Sequence, residues 1–274
     1  MWKAFHHPDI SLPVVRRRVG TELLELLEIF GEVTVHGGWA FLHNRTCPDT
    51  RSYQRAIRRL SKQGLIVSGR GLDTPRLQIS GNGSQQLVAY LHPDRWWRKK
   101  WNGIWYMLLY DVPETARSYR NVLRQFLQTQ RMGCFQKSVW ITPRDIRPQY
   151  SDLAEGAALG DFACLFEART VLGMPSEKVV RDAWDFDDLY AVQKRFCEVY
   201  SDNLAFLKEG GAFEQEILMQ MAADEMDAYR SAFVLDPLLP EALLPAHYCG
   251  KKAFDIHVKV MEVFRNKLAQ ANPD

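Results

Sequence analysis

Residues 47–66, CPDTRSYQRAIRRLSKQGLI, admit few folds. Asp49 or Thr50 caps a helix that runs to about Gln63, and Gly64 ends it. At 100° per residue, Tyr53, Ala56, Ile57 and Leu60 fall within about 60° of one direction and make a face to bury. Arg51, Arg55, Arg58 and Lys62 fall within about 30° of the opposite direction, with Gln54 beside them. No acid occurs from residue 50 to residue 72. A solvated helix face ordinarily mixes Glu with Lys, because opposite charges at i,i+4 stabilise and like charges repel. A row of cations with no acid carries a repulsion that an external polyanion relieves, so Arg51, Gln54, Arg55, Arg58 and Lys62 are read as DNA contacts.

The flanking residues give this helix a context. A helix over Arg18–Phe30 presents Val19, Leu23, Leu26, Leu27 and Phe30 on one face, with Gly31 after it. A short helix around Gly38–Asn44 follows. After the basic helix come two β-runs, Leu65–Ser68 and Arg76–Ile79, around a turn with Gly69, Gly71 and Asp73. A last helix spans Gly83–Leu91. Helices followed by a hairpin are the order of a winged helix-turn-helix, here residues 14–92. The basic helix would enter the major groove, and Arg70 and Arg76 on the wing would reach phosphate or the minor groove. The charge distribution agrees: residues 1–100 hold 16 Lys and Arg against 8 Asp and Glu, a net of +8, while the remainder holds 19 against 25, a net of −6.

The rest divides in two. HPDRWWRKK, residues 92–100, reads as a linker (93–100) whose tryptophans pack into a seam under the Lys stems, rather than as a stacking platform for single strands. Residues 101–173 follow a β-α-β-β-α-β order: strands at Trp105–Tyr110, Met132–Phe135, Ser138–Ile141 and Phe162–Arg169, and helices at Glu114–Arg131 and Gln149–Leu159. This is the ferredoxin-like order. Residues 174–274 read as all-helical, with helices at Ser176–Trp184, Asp187–Tyr200, Leu204–Val234 with an interruption at residues 209–211, and Lys251–Ala271. The prolines of DPLLPEALLP separate the last two. The fold class expected is α+β and multidomain.

Several classes of function find no support. The five cysteines are scattered, without a CxxC pair, and the histidines lack ligand spacing. There is neither a nucleophile elbow nor a phosphate-cradling glycine loop for an enzyme acting on an acyl-CoA. The expectation is a non-enzyme with no resident cofactor. No apolar run approaches the ~18 residues of a membrane span. The N-terminus has prolines and polar residues where a secretion signal needs its apolar segment. The expected location is the cytoplasm, with no membrane partner.

Four segments in order carry a resemblance. They are WNGIWYMLLYDVPE (Trp101–Glu114), GCFQKSVWITP (Gly133–Pro143), DAWDFDDLYAVQKRF (182–196) and DPLLPEALLPAHYCGKKA (236–253). Together with the preceding winged helix they resemble the PaaX family of bacterial transcriptional repressors over nearly the whole chain. The resemblance implies a winged helix, a central domain similar to the CRISPR-associated Cas2 fold and a helical C-terminal domain. It also implies a homodimer on a palindromic double-stranded operator, controlling a catabolic operon and released by a small acyl-CoA effector such as phenylacetyl-CoA.

Asp111 keeps two readings. In a Cas2-like fold an acid at the tip of the first strand meets its dimer mate, and a pair of them would hold Mg²⁺ in a metal-dependent nuclease. Alternatively Asp111 caps the next helix, with Pro113 in its first turn and Glu114 favoured by its dipole. The second is the preferred reading.

Overall fold

The computed structural model describes residues 1–6, 19–30, 32–43, 47, 49–70, 75–86, 91–113, 117–157, 162–169 and 173–271, and their arrangement is α+β. By its contacts the chain falls into two units. One comprises Met1–His92, Val192–Val234 and Gly250–Asp274; the other comprises Pro93–Ala191 and Leu235–Cys249.

In the first unit, α1 (Val19–Phe30) buries Leu23, Leu26 and Leu27, as its periodicity predicts. A short strand that the sequence did not announce, β1 (Glu32–Thr34), precedes α2 (Val35–His43). The Thr34 hydroxyl accepts the Gly37 N–H at 2.9 Å and so starts α2 at Val35 rather than Gly38. Then come α3 (Thr50–Lys62), β2 (Ile66–Arg70), β3 (Pro75–Ile79) and α4 (Gly81–Gln86). The strands form an antiparallel sheet in the order β1-β3-β2, with Leu77 of β3 opposite both Val33 and Ser68 and fully buried. The expected turn residues Gly71 and Asp73, and the end of the helix expected to reach Leu91, include positions outside the described residues.

Gly38 of α2 and Tyr53 of α3 set how those two helices meet. The Tyr53 hydroxyl donates to the Val35 carbonyl at 3.0 Å, and a Cβ on Gly38 would overlap that hydroxyl. Gly38→Ala is expected to destabilise this unit by about 1–3 kcal/mol by overpacking. A urea melt checks this; an unchanged midpoint would mean that Tyr53 moves aside freely.

The same unit contains most of the C-terminal helices. α9 (Phe186–Glu209) is one helix where two were expected, and the break before α10 (Gln215–Phe233) is complete. Ser201 and Asn203 look like helix breakers but are used otherwise. Ser201 bonds back to the Cys197 carbonyl at 2.6 Å, and Asn203 accepts the Lys3 N–H at 2.7 Å while donating to the Lys3 carbonyl at 3.0 Å. Arg230 of α10 bonds to Glu22 and Glu25 of α1, and Arg265 of α11 (Gly250–Ala271) donates to the Ile29 carbonyl at 2.6 Å. These bonds explain why α10 and α11 group with α1.

In the second unit, α5 (Asp94–Trp97) stands where a linker was expected, and it buries Trp97 edge-on against Tyr248. β4 (Trp105–Tyr110), α6 (Arg117–Thr129), β5 (Gly133–Gln136), β6 (Val139–Thr142), α7 (Arg147–Ala157) and β7 (Ala163–Ala168) keep the expected β-α-β-β-α-β order. The antiparallel sheet runs β5-β6-β4-β7. Both of its faces are covered. Tyr106 and Leu108 pack with Leu123 and Leu127 of α6, while Trp105 and Ile141 pack with Val179, Val180 and Ala183 of α8 (Ser176–Ala183) and with Leu239 and Leu243. Alternate residues of a strand point to opposite faces, so a strand covered twice reads WYMLLY with no polar alternation. This packing also places α8 and residues 235–249 with the central sheet rather than with α10 and α11.

Candidate nucleic-acid interface

α3 is capped as its sequence requires. The Asp49 carboxylate accepts the Ser52 N–H at 2.6 Å and the Ser52 hydroxyl at 3.1 Å. At the other end Gly64 takes φ +68, and the Leu65 N–H closes on the Leu60 carbonyl at 2.9 Å. Tyr53, Ala56 and Leu60 are buried, and Ile57 is partly buried. Arg51, Gln54, Arg55, Arg58 and Lys62 are all exposed on the other side. The Arg55 guanidinium donates to the Ser52 hydroxyl at 3.0 Å, so the hydroxyl that the Asp49 cap holds also orients one cation of the row.

Arg59 was not assigned from sequence. It is exposed on the flank of the row and lies against α1, where a Cβ on Gly20 would come within 2.6 Å of its Nη2. Its spacing, roughly 80° from Arg51 at 100° per residue, was the available signal.

The sheet residues differ from the helix residues. Arg76 of β3 pairs with Glu32 of β1, and Gln78 donates to the same carboxylate at 2.8 Å. Hydrogen bonds from Gln78 and Arg76 hold Glu32 below its ordinary carboxylate range. The charge of Arg76 is therefore partly matched within the chain. The side chain of Arg70 lies outside the described residues.

Asp111 is exposed at the end of β4, and its N–H donates to the Phe162 carbonyl at 2.8 Å. It rims a groove with Leu109, Tyr110, Ser138 and Cys164. The first described residue of α6 is Arg117, and residues 114–116, where the expected cap would act, lie outside the described ones. Arg120 of α6 reaches back to the Val112 carbonyl at 2.8 Å. Among the described residues no three His, Cys, Asp or Glu converge as a metal site. No described helix is long and apolar enough to cross a membrane.

The Ser52 N–H bond to Asp49 depresses the carboxyl below its ordinary 3.8. A depressed carboxylate stabilises above its unfolded value and loses that contribution as pH falls through the folded one. Asp49→Asn is expected to retain the cap, since Asn caps comparably, while removing this acid-side dependence. Thermal melts between pH 5 and pH 2.5 (roughly the window of the titration) check it; equal slopes for both proteins would show that Asp49 is not the titrating cap.

Residues 98–180 match the family model of the PaaX protein central Cas2-like domain, and residues 184–271 match that of the PaaX-like protein C-terminal domain. The chain belongs to the PaaX family. A relative in Escherichia coli K12, the transcriptional repressor PaaX, is 23% identical over 229 residues, covering 77% of this chain and 68% of the relative. A solved structure of an uncharacterized protein from Mycobacterium tuberculosis aligns with a TM-score of 0.51 at 17% identity, over 97% of this chain and 93% of that one, a likeness of fold. The PaaX matches cover the central sheet and the C-terminal helices, whereas α3 lies before both.

Proposed function

We propose that this PaaX-family chain is a DNA-binding transcriptional repressor that contacts operator DNA through α3. The reading rests on one observation: a capped helix with Arg51, Gln54, Arg55, Arg58 and Lys62 exposed in a row and no acid among them. The three helices and the β1-β3-β2 sheet around it suit a winged helix-turn-helix, and the β5-β6-β4-β7 sheet suits a ferredoxin-like, Cas2-like central domain. Whichever of the Arg and Gln side chains reach base edges would supply readout in the major groove, and Lys62 positions the phosphate backbone. Arg70 and Arg76 lie on the wing strands, where they would add phosphate contacts.

The protein acts as a homodimer on a palindromic operator of a catabolic operon, in the cytoplasm, without catalysis of its own. A small acyl-CoA effector such as phenylacetyl-CoA releases it by binding better to a dimer geometry that no longer matches adjacent major grooves. The relative's description as a transcriptional repressor supports this assignment.

Fluorescence anisotropy with labelled upstream DNA at several salt concentrations tests the reading. Lys62→Ala is expected to lower the slope of log K against log salt by about 1. Phenylacetyl-CoA is expected to raise the Kd for operator. Identical slopes would remove Lys62 from the interface, and an unchanged Kd would remove that effector.

A further inference from the structure

A second cationic site lies in the unit of the central sheet. The Trp96 indole has the Lys99 ammonium 3.9 Å and the Arg144 guanidinium 4.2 Å from its ring centroid. Arg144 Nη2 donates to the carbonyls of Pro237 and Leu238, the latter at 3.1 Å, and Arg131 Nη1 donates to the Asp236 carbonyl. The facing acid, Asp236, is fully buried and engaged, accepting the Leu238 N–H at 2.7 Å and the Tyr248 hydroxyl at 2.6 Å. Arg144 thus feels both the Arg131 cation and the Asp236 carboxylate, while Lys99 stands over the same indole with Arg144 as its charged neighbour. Among the described residues, Nε and Nη1 of Arg144 and Nζ of Lys99 make no hydrogen bond.

The backbone marks the same place. Arg131 (φ 53) and Leu238 (φ 51) are the two non-glycine residues with positive φ among those described, and both belong to this cluster. Such conformations cost energy and persist where surrounding structure holds them, often at ligand sites. Burial and the neighbouring Arg131 also pull Arg144 down to about 10, and burial and Arg144 pull Lys99 down, as expected for cations gathered without enough counter-charge.

We propose that Lys99 and Arg144, beside Trp96, bind the phosphate of a small phosphorylated molecule, with Arg131 adding field. A dianion would supply acceptors for the unused donors of Arg144 and Lys99, and the guanidinium fork suits a phosphate edge. Arg131, Arg144 and Trp96 are partly buried, which favours the tip of a slim ligand over a duplex backbone. The site is independent of the α3 reading.

The test uses the full chain, with pyrophosphate as probe against sodium chloride at matched ionic strength. Calorimetry is expected to show saturable 1:1 binding, accompanied by a change in tryptophan emission. Lys99→Gln, an exposed position, is expected to weaken binding about tenfold for one lost charge-assisted bond. Trp96→Phe removes the emission change while calorimetric binding persists. The proposal is overturned if pyrophosphate behaves as chloride does, or if both Lys99→Gln and Arg144→Lys bind it like wild type. It is equally overturned if Lys99→Gln weakens binding of a DNA duplex and leaves pyrophosphate unaffected, since the site would then serve a nucleic-acid backbone.

Discussion

An Arg55→Ala/Arg58→Ala variant is expected to bind upstream DNA about a hundredfold more weakly than wild type, at roughly 1–3 kcal/mol for each lost contact. Both side chains are exposed, and neither helps to bury the Tyr53, Ala56 and Leu60 face. The variant should therefore keep its circular dichroism and melting midpoint, which separates a lost contact from a lost fold. The effect should shrink at high salt for whichever contact is to phosphate and remain for whichever reads a base. Anisotropy titrations at low and high salt measure both. Wild-type affinity in the double variant would move the interface away from α3 altogether.

Arg230→Ala is expected to destabilise the first unit by about 3–5 kcal/mol, the usual cost of removing one member of a buried ionic cluster. Arg230 donates to Glu25 at 2.8 Å, Glu22 at 3.0 Å and Asp227 at 3.0 Å, and its side chain is only 5% exposed. Glu22 and Glu25 are each 2% exposed, so truncation takes a cationic partner away from two buried carboxylates on the helix that packs under α3. Replacing the group together, as Glu22→Gln, Glu25→Gln and Arg230→Met, should recover much of the loss, because no charge is then left buried and unpaired. Urea melts followed by circular dichroism give both values. A single-variant loss below about 1 kcal/mol would mean that water reaches the carboxylates once the arginine is gone.

The Arg230 cluster joins residues that no local pattern connects. VGTELLELLEIF displays its leucine face plainly, but nothing local marks Glu22 and Glu25 for burial, because their partner lies more than two hundred residues away. The same distance hid the role of Asn203, which holds the backbone of Lys3, and made α9 look like two helices. β1 has three residues and no alternation long enough to signal; it exists because β3 offers it a partner. HPDRWWRKK suggests tryptophans packed under Lys stems, but that they meet Tyr248 and Arg144 is set only in the folded unit.

The row on α3 was legible for the opposite reason. Its cap, stop, buried face and cation spacing all lie within sixteen residues, from Asp49 to Gly64, and helical geometry alone converts that spacing into a surface. The β-α-β-β-α-β order was legible because strand and helix periods are local, and the structure reproduces it from Trp105 to Ala168.

By itself, then, the sequence determined the cationic face of α3, the α+β class and the order of elements in the central sheet, each set by interactions within a few turns of chain. Contacts between distant segments settle what covers each face of WYMLLY, that Glu22 and Glu25 close on Arg230, and that Arg144 and Lys99 gather at Trp96. Those outcomes depend on which distant segments meet. Burial then sets the energetic consequence of each charge, and no local pattern encodes that.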